Sequence, residues 1–227
     1  MERQTNTVRV GGNVGGNVVA GNANTVGAAV REGAAAQKPV AEPGGLTPRL
    51  GFVVDIVGFG RRDAEDKESL QHRLDTLVGR LLTDLGIDRA DTASAVAGDS
   101  TVVFLPVGVA SSHVLPRMIS VIAEGLGRDN QRYRDRMRLR MAVGSGLLGA
   151  PGPLGFTGEL IVDLHRLLDS AVLREAVRDN ENADLAILVT HTLHDEVIRP
   201  GYLAATDFSR VEVMAKEFVA RAWLRVC

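Results

Sequence analysis

Asp55 stands inside the apolar run Phe52-Val53-Val54-Asp55-Ile56-Val57. A carboxylate buried alone is expensive, so the run predicts a partner for it. Asp99 follows in Ala97-Gly98-Asp99-Ser100, where a Gly-Asp pair signals the tip of a hairpin. In a β-α-β-β unit the first strand lies beside that hairpin, so the two carboxylates can converge. Two hard oxygen ligands, with the Ile56 carbonyl as a third, suit Mg²⁺ or Mn²⁺, with phosphate oxygens completing the octahedron. Taken alone, Asp99 has a plainer reading as a residue that shapes the turn.

The elements that must position these residues alternate strand and helix. Residues 50–57 (LGFVVDIV) form a nearly continuous apolar run, as in a buried strand. Leu70, Leu74, Leu77, Val78, Leu81, Leu82 and Leu85 then follow helical spacing, and Gly86 closes that helix. Residues 94–106 read as two short strands around the Gly98-Asp99 turn. A second helix is expected over 111–126, capped by Ser111 or Ser112 with Pro116 in its first turn. Residues 138–144 form a strand and the Gly/Pro-rich stretch 145–158 a loop. A single helix over 159–177, a strand over 184–190 and a short helix over 193–199 follow, and strands at 211–214 and 220–226 close the chain. This order predicts an α+β fold: a ferredoxin-like βαββαβ core with helices on one face of a sheet containing antiparallel strands, then C-terminal αβ and ββ additions.

Two motifs now become recognisable. FVVDIVGF resembles the first-strand signature of class III adenylyl and guanylyl cyclases, Asp-Ile-x-Gly-Phe, and AGDSTVVFLP resembles that family's Gly-Asp hairpin. Residues 158–167 (GELIVDLHRL) are similar to the family's helix Gly-x-x-Val-Asn-x-Ala-x-Arg-Leu. The resemblance spans residues 50–226 in the expected order. It implies metal ligation by Asp55, Ile56 and Asp99, substrate contacts at Phe59 and Gly98, and transition-state stabilisation by Arg166. Lys216 falls where many members carry a triphosphate-binding lysine, although the flanking glycines are absent. The resemblance also implies a nucleoside triphosphate as ligand, and a head-to-tail homodimer whose sites draw the aspartates from one subunit and the arginine from the other.

The departures bear on the reaction. The family's transition-state asparagine falls on Val162, which cannot hydrogen-bond the ribose. Asp163 is adjacent but points about 100° away on a helix. The base-selecting lysine falls on Ala95, and its partner aspartate on Gly155. Three readings therefore stay open: a divergent cyclase, one that accepts a different base such as a pyrimidine, and a degenerate domain acting as a nucleotide sensor, dimerisation module or adaptor. The basic run 132–140 (RYRDRMRLR) reads as a solvated charged surface, with phosphate contact as the alternative. His165, His191 and His194 lack convincing metal spacing with a cysteine or carboxylate and read as structural.

Residues 1–45 differ from the remainder, 46–227, which is the expected cyclase-like domain. They are rich in Gly, Asn, Val and Ala and contain no aromatic residue. Lone valines between Gly/Asn turns cannot bury much area, so the stretch reads as a disordered tail and linker. A β-branched, Asn-rich, uncharged run can also stack as cross-β. NVGGNVVAGNANTV resembles the short motifs of bacterial amyloid-signalling segments, which would give the tail a protein partner.

Bulk properties are those of an ordinary globular chain: 227 residues, 45% hydrophobic and 24% charged. A net charge of -2 argues against a general nucleic-acid binder. The single cysteine, Cys227, excludes an intrachain disulfide and makes a reducing cytoplasm the simple expectation. No apolar run of about 18 residues predicts a membrane span, and the first residues lack the pattern of a secretory signal.

Overall fold

The computed structural model describes residues 45–152, 155–215 and 218–227, together with two short pieces of an N-terminal unit. In that unit, Met1–Val40, Val19–Ala20 pairs antiparallel with Val26–Gly27. The rest of the tail, including most of the proposed amyloid-like run, lies outside the described residues.

The second unit, Ala41–Cys227, is built on a seven-stranded sheet. Its strands are β1 (Thr47–Ile56), β2 (Ala93–Ala97), β3 (Ser100–Phe104), β4 (Leu139–Leu148), β5 (Leu185–Thr190), β6 (Ser209–Ala215) and β7 (Phe218–Val226). The helices are α1 (Ala64–Asp84), α2 (Ser111–Arg132), α3 (Glu159–Leu168) and α4 (Ala171–Asp179). The spatial order is β2-β3-β1-β4-β5-β7-β6. Among these neighbours only β4 and β5 run parallel, with Leu139 opposite Leu185, and α3 and α4 supply the crossover. The β4-β1-β3-β2 segment with α1 and α2 is the expected ferredoxin-like core.

Strand alternation sorts the core into two layers. Phe52, Val54 and Ile56 of β1 pack with Leu70, Leu77 and Leu81 of α1 and with Leu115, Met118 and Ile122 of α2. Val53 faces the other way, towards Leu160, Leu164 and Leu167 of α3 and Leu173 of α4. The core helices do share one face, as expected, while the additions cover the opposite one. From Leu50 to Ile56 both faces of β1 are therefore dry, which explains why the residues flanking Asp55 are apolar.

Several boundaries differ from the sequence expectation. β4 continues through Ser145 to Leu148, because the first four residues of the supposed loop pair with Thr47–Leu50 of β1, Leu148 opposite Thr47. The single helix over 159–177 is two helices. Ser170 breaks it: its hydroxyl donates to the Leu167 carbonyl at 2.7 Å and accepts from the Leu173 N–H at 3.2 Å, so it caps the start of α4. α2 begins at Ser111 with Ala110 as its N-cap and no side-chain cap, and it extends to Arg132. Pro116 consequently sits in the second turn, inside the helix. After β5 comes one turn of α-helix, His191–Leu193, which widens into a π-helix over His194–Ile198.

Gly51 shows how closely the centre is packed. A Cβ there would lie 2.4 Å from Cδ1 and 2.8 Å from Cε1 of the buried Phe104 ring. That ring also meets Phe156 edge-on at 4.9 Å, so it has little room to retreat. Gly51→Val is expected to cost about 1–3 kcal/mol through overpacking. Urea unfolding should show this as a lower midpoint at unchanged slope.

Candidate functional site

Asp55 is the next-to-last residue of β1 and is 6% exposed. In register it lies opposite Ser100 on β3 and Arg140 on β4. The partner that its burial demands is Arg140, whose Nη2 donates to Asp55 Oδ2 in a largely buried ion pair. The other oxygen, Oδ1, and the Arg140 Nε are both buried without a hydrogen-bond partner among the described residues.

The hairpin brings up the second carboxylate. Gly98 takes the left-handed conformation, φ +63°, that its tight turn requires. The Ile56 N–H donates to the Asp99 carbonyl at 3.2 Å, stitching the end of β1 to the hairpin tip. Gln71 of α1 adds a hydrogen bond from Nε2 to the Gly98 carbonyl at 2.7 Å. Asp99 is thereby held close enough to Asp55 for the two carboxyl groups to interact. Burial pushes the Asp55 carboxyl up from 3.8 to about 6, Arg140 opposes the rise, and the charge and hydrogen bonding of Asp99 add to it. Two acceptor groups thus lie close to one another, one with an orphaned oxygen, an arrangement that a cation would relieve.

Beyond β1 the chain turns at Gly58, φ +70°, into a single 3-10 turn over Phe59–Arg61. Arg62 anchors that turn. Its Nη1 donates to the Val57 carbonyl at 2.9 Å and its Nη2 to the Arg136 carbonyl at 3.1 Å, and its Nε pairs with Asp135 at 3.0 Å. Phe59 is half-buried against the α1/α2 layer, with the Lys67 ammonium 5.9 Å from its ring centre.

The remaining expected residues are placed elsewhere or not described. Arg166 is exposed on α3, its guanidinium 5.0 Å from the centre of the Phe218 ring. One turn back, the Asp163 carboxyl is raised by burial, an effect that Arg166 opposes and Glu159 reinforces. Val162 is 43% exposed, an apolar side chain turned to solvent. Ala95 is exposed on the edge strand β2, and Gly155 has φ +100°. Lys216 lies outside the described residues. The structure thus brings together Asp55, Asp99 and the backbone of Ile56 and Gly98, with Arg140 added, and holds Arg166 against Phe218.

Arg140 was hidden in the basic run, which is not simply a solvated surface. Arg138 donates to the carbonyls of Ala183, Val177 and Asn180. Arg136 donates to those of Glu181 and Asn182 and pairs with Asp184 at 2.6 Å. These two guanidiniums tie the loop after α4 to the start of β4. The available signal was position: Arg140 sits between Leu139 and Met141, both buried, inside a strand adjacent to the one holding Asp55.

Comparison with known proteins bears on the fold. No protein-family model and no curated protein matches the sequence. Solved structures do. The adenylyl cyclase CyaB from P. aeruginosa is similar with a TM-score of 0.56 at 14% identity, covering 82% of this chain and 96% of that one. An adenylate/guanylate cyclase/hydrolase from Silicibacter pomeroyi reaches 0.58 at 14% identity, covering 81% and 99%. The guanylate cyclase domain of RhGC from Catenaria anguillulae, solved in complex with GTP, reaches 0.53 at 13% identity, covering 79% and 97%. The chain has the fold of class III nucleotidyl cyclase catalytic domains.

Two outcomes follow from the Asp55 environment. A folded state that holds this proton more tightly than the unfolded chain is favoured at low pH. The contribution is present below 3.8 and is lost as pH rises to about 6. Unfolding free energies measured between about pH 4 and 7 should show this falling limb, and Asp55→Asn should flatten it. Arg140→Ala leaves a buried carboxylate unpaired and is expected to destabilise by about 3 kcal/mol. The double variant Asp55→Ala/Arg140→Ala should recover part of that loss in a double-mutant cycle.

Proposed function

We propose that residues 46–227 bind a nucleoside triphosphate together with two divalent cations, Mg²⁺ or Mn²⁺, and convert it to a 3′,5′-cyclic nucleotide and pyrophosphate. The observation that carries this reading is the convergence of Asp55 and Asp99 at the end of β1, with Asp55 Oδ1 buried and undonated. Hard carboxylate oxygens are the donor set that these ions prefer. Asp55, Asp99 and the Ile56 carbonyl would hold them. Bound there, such ions neutralise charge on the α-phosphate and lower the pKa of the ribose 3′-hydroxyl.

The chain's own side chains and backbone do the rest. The Gly58-Phe59 turn and Gly98 border the carboxylates and offer main chain to the substrate. Arg140, one strand away, pairs with Asp55 and so holds that carboxylate in place. Arg166 stabilises negative charge on the departing pyrophosphate as the 3′-oxygen bonds to the α-phosphorus and the bond to the β-phosphate bridge breaks. Lys216 is the candidate for the triphosphate. Because Arg166 contacts Phe218 in its own chain, its role fits a head-to-tail homodimer in which it serves the partner's aspartates. Val162 provides no hydrogen bond where an oriented group is expected, and losing one such group typically lowers the rate by about 10²–10³.

A second reading is favoured by the same three positions. Val162, Ala95 and Gly155 offer no side-chain hydrogen bond to base or ribose, as in a domain that senses a nucleotide without turning it over, with the N-terminal tail recruiting a protein partner. Incubation with ATP, GTP, CTP and UTP in turn, with Mn²⁺, separates the readings. Cyclic product and pyrophosphate from at least one of the four are expected, abolished in Asp55→Ala and at least about 10²-fold lower in Arg166→Ala. No product from any of them rejects the enzyme. A nucleotide-dependent rise in Tm without turnover establishes the sensor instead.

A further inference from the structure

A second cluster of donor groups lies away from the carboxylate pair. β5 passes the level of Arg140 at Ala186 and reaches this cluster only after Thr190. The helical turn that follows puts His191, His194 and Asp195 at the spacing i, i+3, i+4, which is one helix face. Across the β5/β7 pairing, where Val189 is opposite Trp223, the indole stacks on both imidazoles. Its centre is 3.7 Å from that of His194, with 13° between planes, and 5.3 Å from that of His191, with 18°. Stacking fixes the ring planes, and both rings then turn Nδ1 to the same oxygen. Asp195 Oδ1 is 3.0 Å from His194 Nδ1 and 3.8 Å from His191 Nδ1. Arg199 takes the other oxygen, Oδ2, at 3.5 Å, which orients the carboxylate.

We propose that His191, His194 and Asp195 form a binding site for a divalent transition-metal ion of the zinc class. Two imidazole nitrogens and one carboxylate oxygen suit borderline ions rather than Mg²⁺ or Ca²⁺. Donors 2.0–2.1 Å from a tetrahedral ion stand about 3.3 Å from one another. The Nδ1–Oδ1 separations of 3.0 and 3.8 Å bracket that spacing, and one donor atom from each residue lies within 4.8 Å of the others. The three donors thus already stand near the spacing that a bound ion requires. His194, 14% exposed, is held against Trp223, while His191, 53% exposed, is open to solvent and admits the ion. Three protein ligands leave the fourth position for water or an exogenous ligand. The widening to a π-helix begins at His194, and such turns recur at functional sites.

Trp223 reports on the site, because it is the only tryptophan of the chain. Ni²⁺ is titrated into the full-length protein in excess Mg²⁺, which saturates the oxygen site of Asp55 and Asp99, and indole fluorescence is followed. Saturable quenching, reversed by excess Zn²⁺, is expected. His191→Ala, an exposed change that spares the fold, and Asp195→Asn should each raise the midpoint by at least about tenfold. Equilibrium dialysis should find one Zn²⁺ per chain, absent from the His191→Ala/His194→Ala variant. Absence of saturable quenching, or an unchanged midpoint in the variants, overturns the proposal. Neither result depends on whether the domain turns over a nucleotide.

Discussion

The burial of one carboxylate governs the middle of this domain. β1 is covered on both faces, by α1 and α2 on one side and by α3 and α4 on the other, so any charge on it must be answered by the strands beside it. Asp55 is answered twice: Arg140 on β4 neutralises it, and the hairpin carrying Asp99 sets a like charge against it. The arrangement is balanced rather than maximally stable.

Much of this was legible in the sequence. The apolar run around Asp55, the Gly98-Asp99 turn and the leucine spacing of α1 each announce one element, because period and turn chemistry are local. The βαββαβ order follows from them. What local pattern could not provide was the partner of Asp55. Arg140 belongs to a run of arginines whose density suggests a solvated surface, yet Arg136 and Arg138 bind loop carbonyls and Arg140 enters the sheet. Only the register of β1 against β4 separates the three roles.

Two of the boundary differences share that cause. The helix over 159–177 keeps its apolar period across Ser170, so periodicity alone joins what a buried hydroxyl divides. The end of β4 has a loop-like composition, and becomes strand because β1 is there to pair with it. The histidines after β5 carry no sequence sign of one another's orientation. Trp223, from the far side of the β5/β7 pairing, sets it.

The Asp55–Arg140 pair joins residues 85 positions apart. Closing so long a loop is slow, and its entropy must be met before any contact across it is gained. The ion pair can exist only where β4 lies in register against β1. Without that pairing Asp55 is an ordinary acid on an exposed strand. The environment of Asp55 and the completion of the sheet across β1 and β4 are in this domain inseparable.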